Sequence, residues 1–281
     1  MAKRRLCNHF GLDANSFFGT LDSRAIVRLS TMIVLFTDFG DDDIYIGQVK
    51  AVLLQHAPAG TAVVDLLHSV PSFDARAGAH LLAALHDRFP PGAIFFAVID
   101  PGVGTARDGV VLDADGQLYV GPDNGLLSVV AARARRASTW RIAWRPEESS
   151  VSFHGRDIFA PIAAWLAAGG VRADRLDPIA HLQVQLGAQD LGEVIYVDHY
   201  GNVITGLRAC NVDASMVIDA GELTIRHGRV FGDVPEGTLF WYQNSIGLVE
   251  IAINRGNAAA ATGLSVGDPV RISRVRDDFF S

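Results

Sequence analysis

The sequence predicts an α/β N-terminal domain, with a mostly parallel central sheet covered by helices, followed by a smaller all-β, barrel-like C-terminal domain. Two observations carry this. Between Met32 and about Leu186, apolar runs of strand length alternate with helical windows, the pattern of crossover connections in a parallel sheet. After about Gly187 the runs shorten, become β-rich and are separated by glycine and Asp/Asn turns, with no long helical window. The predicted divisions are 1–31, a peripheral N-terminal extension or the product of a start site assigned too early; 32–187, the α/β domain; and 188–281, the β domain.

Taken in order, Ile33 to Thr37 reads as a strand and Ile44 to His56 as a helix. Ala62 to Leu67 and Asp74 to Arg88 repeat the pair, and Ile94 to Ile99 is a third strand. Val110 to Leu112 and Leu118 to Val120 form a hairpin about Ala114, Asp115 and Gly116. Asn124 to Arg135 and Asp157 to Ala168 are helical, the second stopped by Gly169 and Gly170. In the β domain the expected strands include Gly192 to Val197, Met216 to Ile218, Leu223 to Ile225, Gly247 to Ile253 and Pro269 to Ser273.

Composition narrows the function. The 281 residues are 49% hydrophobic and 20% charged, enough for a substantial core. A net charge of -7 disfavours nucleic acid and acidic membranes, so a small-molecule ligand is expected. No apolar stretch is long enough to span a membrane and no secretory leader is recognisable, which predicts a cytoplasmic protein. Cys7 and Cys210 lack metal-site spacing and form no disulfide framework.

In an open parallel sheet, ligands bind beyond the carboxyl ends of the strands. The polar signals fall there: "TDFGDDD" (37–43), "DPGVGTAR" (100–107), "GPDNG" (121–125) and "FHGRD" (153–157). Asp38 and Asp43 are suited to the vicinal hydroxyls of a ribose, and equally to capping a helix. Asp100, Arg107 and His154 combine a carboxylate, a fixed cation and a titratable imidazole, a set able to hold and deprotonate a water; the alternative is a structural ion pair with the histidine elsewhere. In the β domain, "DHYGNVITG" (198–206) and "FWYQNSIGLVEIAIN" (240–254) mix aromatics with amides and hydroxyls, as a base-stacking site would, or as barrel core with Asn-Gly turns would. Three aspartates after a glycine are similar to the calcium-binding start of nucleoside hydrolases, but Phe36 stands where that motif needs its leading carboxylate, so no metal is expected.

Together and in order, "TDFG", "VDLLHSV", "DPGVG", "GPDNG", "FHGRDIFAP", "YGN" and "NSIGLVEIAIN" resemble the S-adenosylmethionine (SAM) hydroxide adenosyltransferases, relatives of the fluorinases and chlorinases; the likeness runs from Met32 to about Ile272. The resemblance implies a seven-stranded sheet, a C-terminal β-barrel, and a homotrimer with active sites between one subunit's N-domain and its neighbour's C-domain. It implies hydrolysis of SAM to adenosine and L-methionine by water attacking ribose C5′, without a cofactor, with adenosine or methionine able to co-purify. It maps water activation onto Asp100, Arg107 and His154, and substrate binding onto Asp38, Asp43, Asp198, Tyr200, Asn202, Trp241, Asn244 and Ser245. Two alternatives stand beside it, a SAM-dependent halogenase and a non-catalytic SAM or adenosine sensor. His154, Gly155 and the complete "DPGVGTAR" favour hydroxide over halide.

Overall fold

A computed structural model describes residues 32–274; the expectation for 1–31 lies outside them. The first half is built on a seven-stranded sheet of order β2-β1-β3-β5-β4-β6-β7. These strands are β1 (Met32–Thr37), β2 (Ala62–Leu67), β3 (Ile94–Val98), β4 (Gly109–Ala114), β5 (Gln117–Pro122), β6 (Ala137–Ile142) and β7 (Leu176–Ile179). The β2-β1-β3-β5 side is parallel; β4, β6 and β7 add antiparallel pairings. The sheet is therefore mixed, because the hairpin at Asp115 and Gly116, both at positive φ, reverses the chain where a crossover would have kept it parallel.

Both faces are covered, which is why β1 reads as the unbroken apolar run MIVLFT. Ile33 and Leu35 pack with α1 (Ile44–His56) and α4 (Ala160–Ala167), while Val34 and Phe36 pack with α2 (Ala75–Leu85) and α3 (Ser128–Arg133). α1 and α2 begin at the side chains of Asp43 and Asp74, each accepting from a backbone N–H of the first turn. The expected helix at Asp157 to Ala168 begins instead as a π-type turn, Gly155–Phe159, that leads into α4.

The second half holds two antiparallel sheets, β11-β10-β14 and β12-β13-β9-β8, formed by β8 (Leu191–Val197), β9 (Val203–Arg208), β10 (Met216–Ala220), β11 (Leu223–Ile225), β12 (Leu239–Gln243), β13 (Leu248–Ile253) and β14 (Val270–Arg274). Bridges from Glu193 to Pro269 and from His227 to Trp241 join the two sheets at both edges, closing a barrel around Val194, Ile218, Trp241 and Ile251. Its one α-helix among the described residues is the short α5 (Ala258–Thr262). The halves share a core, with Leu191, Ile195, Ile204 and Leu248 of the barrel packed into the α2/α3 face of the large sheet. Among the described residues no helix is long and apolar enough to cross a membrane.

Candidate active site

The carboxyl ends of β1 and β3 release the chain at Thr37 and Val98, on one edge of the sheet. From β3 the chain must cross the end of β5 to enter β4 at Gly109, and the loop 99–108 makes that crossing, which returns Arg107 beside Asp100. Arg107 Nε donates to Asp100 Oδ1 at 2.7 Å, and Nη2 pairs with Oδ2 in a bidentate arrangement. The same Nη2 meets His154 Nδ1 at 3.2 Å. The Phe159 ring lies 5.3 Å from the guanidinium carbon and covers it on one face. Asp100, Arg107 and His154, separated by up to 54 positions in the chain, thus form one cluster.

Two backbone features make the approach possible. Gly104 has φ +81°, and a Cβ there would sit 2.7 Å from the Val151 carbonyl oxygen, so only glycine lets loop 100–107 lie against the loop that carries His154. His154 then stands at the entry of the π-type turn, a distortion frequent where a side chain must be re-aimed. Burial first, and the Arg107 charge second, hold the His154 imidazole below its ordinary pKa. It is neutral at physiological pH, and with Arg107 donating to Nδ1 its own proton sits on Nε2.

Asp38 opens the neighbouring wall. Its Oδ2 accepts from Phe73 N–H at 3.0 Å. Burial raises its pKa, and the Asp100 charge adds to the rise, which places the two carboxylates within each other's field. The turn that presents Asp38 is braced from behind by buried His68, whose Nδ1 meets Thr37 Oγ1 at 2.9 Å and whose Nε2 meets Asp65 Oδ1 at 3.0 Å. "GPDNG" proves to be scaffold: Asn124 Nδ2 holds Ile99 O at 2.8 Å, and Asp123 accepts from Gln183 N–H. Asp43, expected to touch substrate, caps α1 by accepting from Ile44 N–H at 2.6 Å, the structural role that its position before a helix also allowed.

The barrel residues gather in a separate pocket of about 760 Å³, a volume suited to a nucleoside-sized ligand. Asp198, Tyr200, Asn202, Asn244 and Ser245 all line it. Asp198 folds the turn: its Oδ1 accepts from the N–H groups of Tyr200 and Asn202, and its Oδ2 from Asn202 Nδ2 at 2.9 Å. Trp241 corrects the expectation. It is 2% exposed inside the barrel, donating from Nε1 to Met216 O at 3.2 Å, because successive residues of β12 face opposite ways and Tyr242 takes the pocket side.

Sequence reasoning also missed two residues. Phe73 adopts φ 65° and is 74% exposed, a strained aromatic displayed beside Asp38; its place in a strand-end loop was the available signal. Glu250, read only as part of a strand, reaches the barrel pocket.

An α/β sheet with an Asp–Arg ion pair and a neutral imidazole together at its ligand-binding edge, joined to a barrel with a nucleoside-sized pocket, is the arrangement of a small-molecule enzyme. Residues 33–176 match the family model for the SAM hydroxide adenosyltransferase N-terminal domain, and residues 192–271 that for its C-terminal domain. The chain belongs to the SAM hydroxide adenosyltransferase family. It is 41% identical to the (R)-S-adenosyl-L-methionine hydrolase of Thermus thermophilus, over 85% of this chain and 98% of that one. A protein of the same name from Salinispora tropica is 39% identical, with 84% and 95% covered. The fluorinase of Nocardia brasiliensis is more distant at 26%, with 86% and 96% covered. A crystal structure of an uncharacterized conserved protein from Thermotoga maritima superposes with a TM-score of 0.79 at 34% identity, covering 86% of this chain and all of that one.

Proposed function

We propose that this protein hydrolyses S-adenosyl-L-methionine to adenosine and L-methionine, with the R configuration at sulfur that its hydrolase relatives are named for. The observation that carries the reading is the convergence of Asp100, Arg107 and His154 at one strand-end crevice, beside Asp38. In this reading Asp38 accepts the ribose hydroxyls and a water sits against the cluster. Arg107 turns a guanidinium N–H to that water and lowers its pKa, which frees His154 Nδ1 to take the proton, while Asp100 keeps the guanidinium in place. The oxygen bonds to C5′ as the C5′–S bond breaks. The bonding pair stays on sulfur, so the leaving group is a neutral thioether that needs no acid catalyst.

The active site is completed between copies of the chain, in a homotrimer. What supports this is the separation within one chain: among the described residues the barrel pocket is lined only by those between Asp198 and Asn257, and none of Asp38, Asp100, Arg107 or His154 borders it. The substrate is a cytoplasmic metabolite in this reading, no cofactor takes part, and the protein is placed in the cytoplasm with it.

Purified protein incubated with SAM tests the reaction by chromatography of the nucleoside, with and without chloride. Adenosine at a rate indifferent to chloride is the expected result. A 5′-chloro nucleoside would select the halogenase, and tight binding without product would select a sensor.

A further inference from the structure

Glu250 is 4% exposed, yet its carboxylate borders the barrel pocket. Its Oε1 accepts from Tyr242 Oη at 2.6 Å and its Oε2 from Asn244 Nδ2 at 3.0 Å. Both donors are neutral. Among the described residues no Lys, Arg or His comes within ion-pairing distance of it. Among the described residues the one cationic side chain on the pocket's lining, Arg255, is engaged by Glu236 at 2.5 Å. Asp198 is different, because its oxygens are used in folding its own turn.

A buried carboxylate without a counter-charge is costly, and proteins that keep one give it a partner. Burial does raise the Glu250 pKa, with the Asp198 charge adding to the rise and the two hydrogen bonds opposing it. The two donors around Glu250, Tyr242 across the strand pair and Asn244, are neutral and call for acceptors rather than for a full charge. The missing cation is then supplied by what enters the pocket.

Resting on the SAM reading above, we infer that Glu250 is a specificity-determining residue that pairs with a cationic centre of the substrate. SAM carries two such centres, the sulfonium and the α-ammonium. Its hydrolysis removes the first, so a carboxylate paired with the sulfonium favours substrate over product, and one paired with the ammonium selects for the intact amino-acid end.

Calorimetric titration of the full-length chain in a His154→Ala background, with and without Glu250→Gln, separates these roles through three ligands: SAM with both cations, S-adenosyl-L-homocysteine with the ammonium alone, and adenosine with neither. The expected result is that Glu250→Gln weakens SAM about 10-fold or more and leaves adenosine unchanged. S-Adenosyl-L-homocysteine assigns the centre: unchanged affinity names the sulfonium, an equal loss the ammonium. If all three ligands weaken alike, or none does, the pairing is wrong and Glu250 is structural. Glu250→Met, similar in volume, repeats the comparison should the Gln variant fold poorly. Failure of the unsubstituted pocket to bind SAM while binding adenosine would overturn the SAM reading itself, and this inference with it.

Discussion

The depressed pKa of His154 fixes how the rate must respond to acid. A base that titrates below its ordinary 6.5 stays neutral at pH 7, and turnover falls only as pH drops through that lowered value. The acid limb of kcat/KM, which reports the free enzyme, is therefore expected below pH 6.5, and His154→Ala should lower kcat by about 10²–10⁴-fold with KM within a few-fold of the parent. A parental rate in that variant would remove His154 from the mechanism. Asp38 is a binding residue in the same account. Asp38→Asn should raise KM by about 10-fold or more, since a charge-assisted hydrogen bond is worth about 1.5–3 kcal/mol, and change kcat less. The cluster was legible in the sequence because strand-end loops of a parallel sheet share one edge, so residues far apart in number could be expected together. Trp241 and Glu250 were not legible in the same way. Which face of β12 and β13 points inward depends on the phase of pairing across the barrel, and a one-residue change of phase exchanges core for pocket.

At the level of elements, the loops are held by contacts that leave no room for a side chain. Gly104→Ala puts a methyl group against the Val151 carbonyl at an unfavourable φ, so the loops that carry Arg107 and His154 must part. The expected outcome is a kcat lowered by at least about 10-fold, out of proportion to a stability loss of about 1–2 kcal/mol, read from kinetics and denaturant titration together. Where the large sheet meets the barrel, His80 of α2 lies 4% exposed and 3.4 Å from Arg133, close to Asp190 and Arg208. Burial, and then the Arg133 charge, lower its pKa to about 4. Unfolded chains bind a proton here near pH 6.5 that folded ones refuse, so this contribution to stability is lost as pH falls from 6.5 towards 4. Between pH 7 and 5 the parent should lose about 2 kcal/mol more than His80→Gln in urea unfolding; parallel losses would contradict this. β1 and β3 could be read as apolar runs because both sheet faces are buried there, and α1 and α2 because their starts are capped by Asp43 and Asp74. Strands such as β6, with five of its six residues exposed or half-buried, and β9, which begins inside a turn motif, offered no such pattern.

For the whole molecule, the separation of the strand-end cluster from the barrel pocket is the feature with the largest consequence. If copies of the chain complete each other's sites, a variant lacking His154 and one lacking Asn202 and Ser245 should regain activity when unfolded and refolded together, because some mixed interfaces then hold both intact halves. Activity no higher than that of the separate variants would place a whole site within one chain and contradict the trimer account. The two-domain plan was legible from the change in texture near Gly187, whereas the sharing of a core between α2, α3 and the barrel was not, since it depends on packing across the junction. The central claim is that an activated water attacks C5′ of SAM. It is tested most directly by turnover in halide-free buffer made with ¹⁸O-water, followed by mass spectrometry of the nucleoside. The account predicts adenosine with a single ¹⁸O at its 5′ oxygen; adenosine without the label, or a halogenated nucleoside formed only when halide is restored, would contradict it.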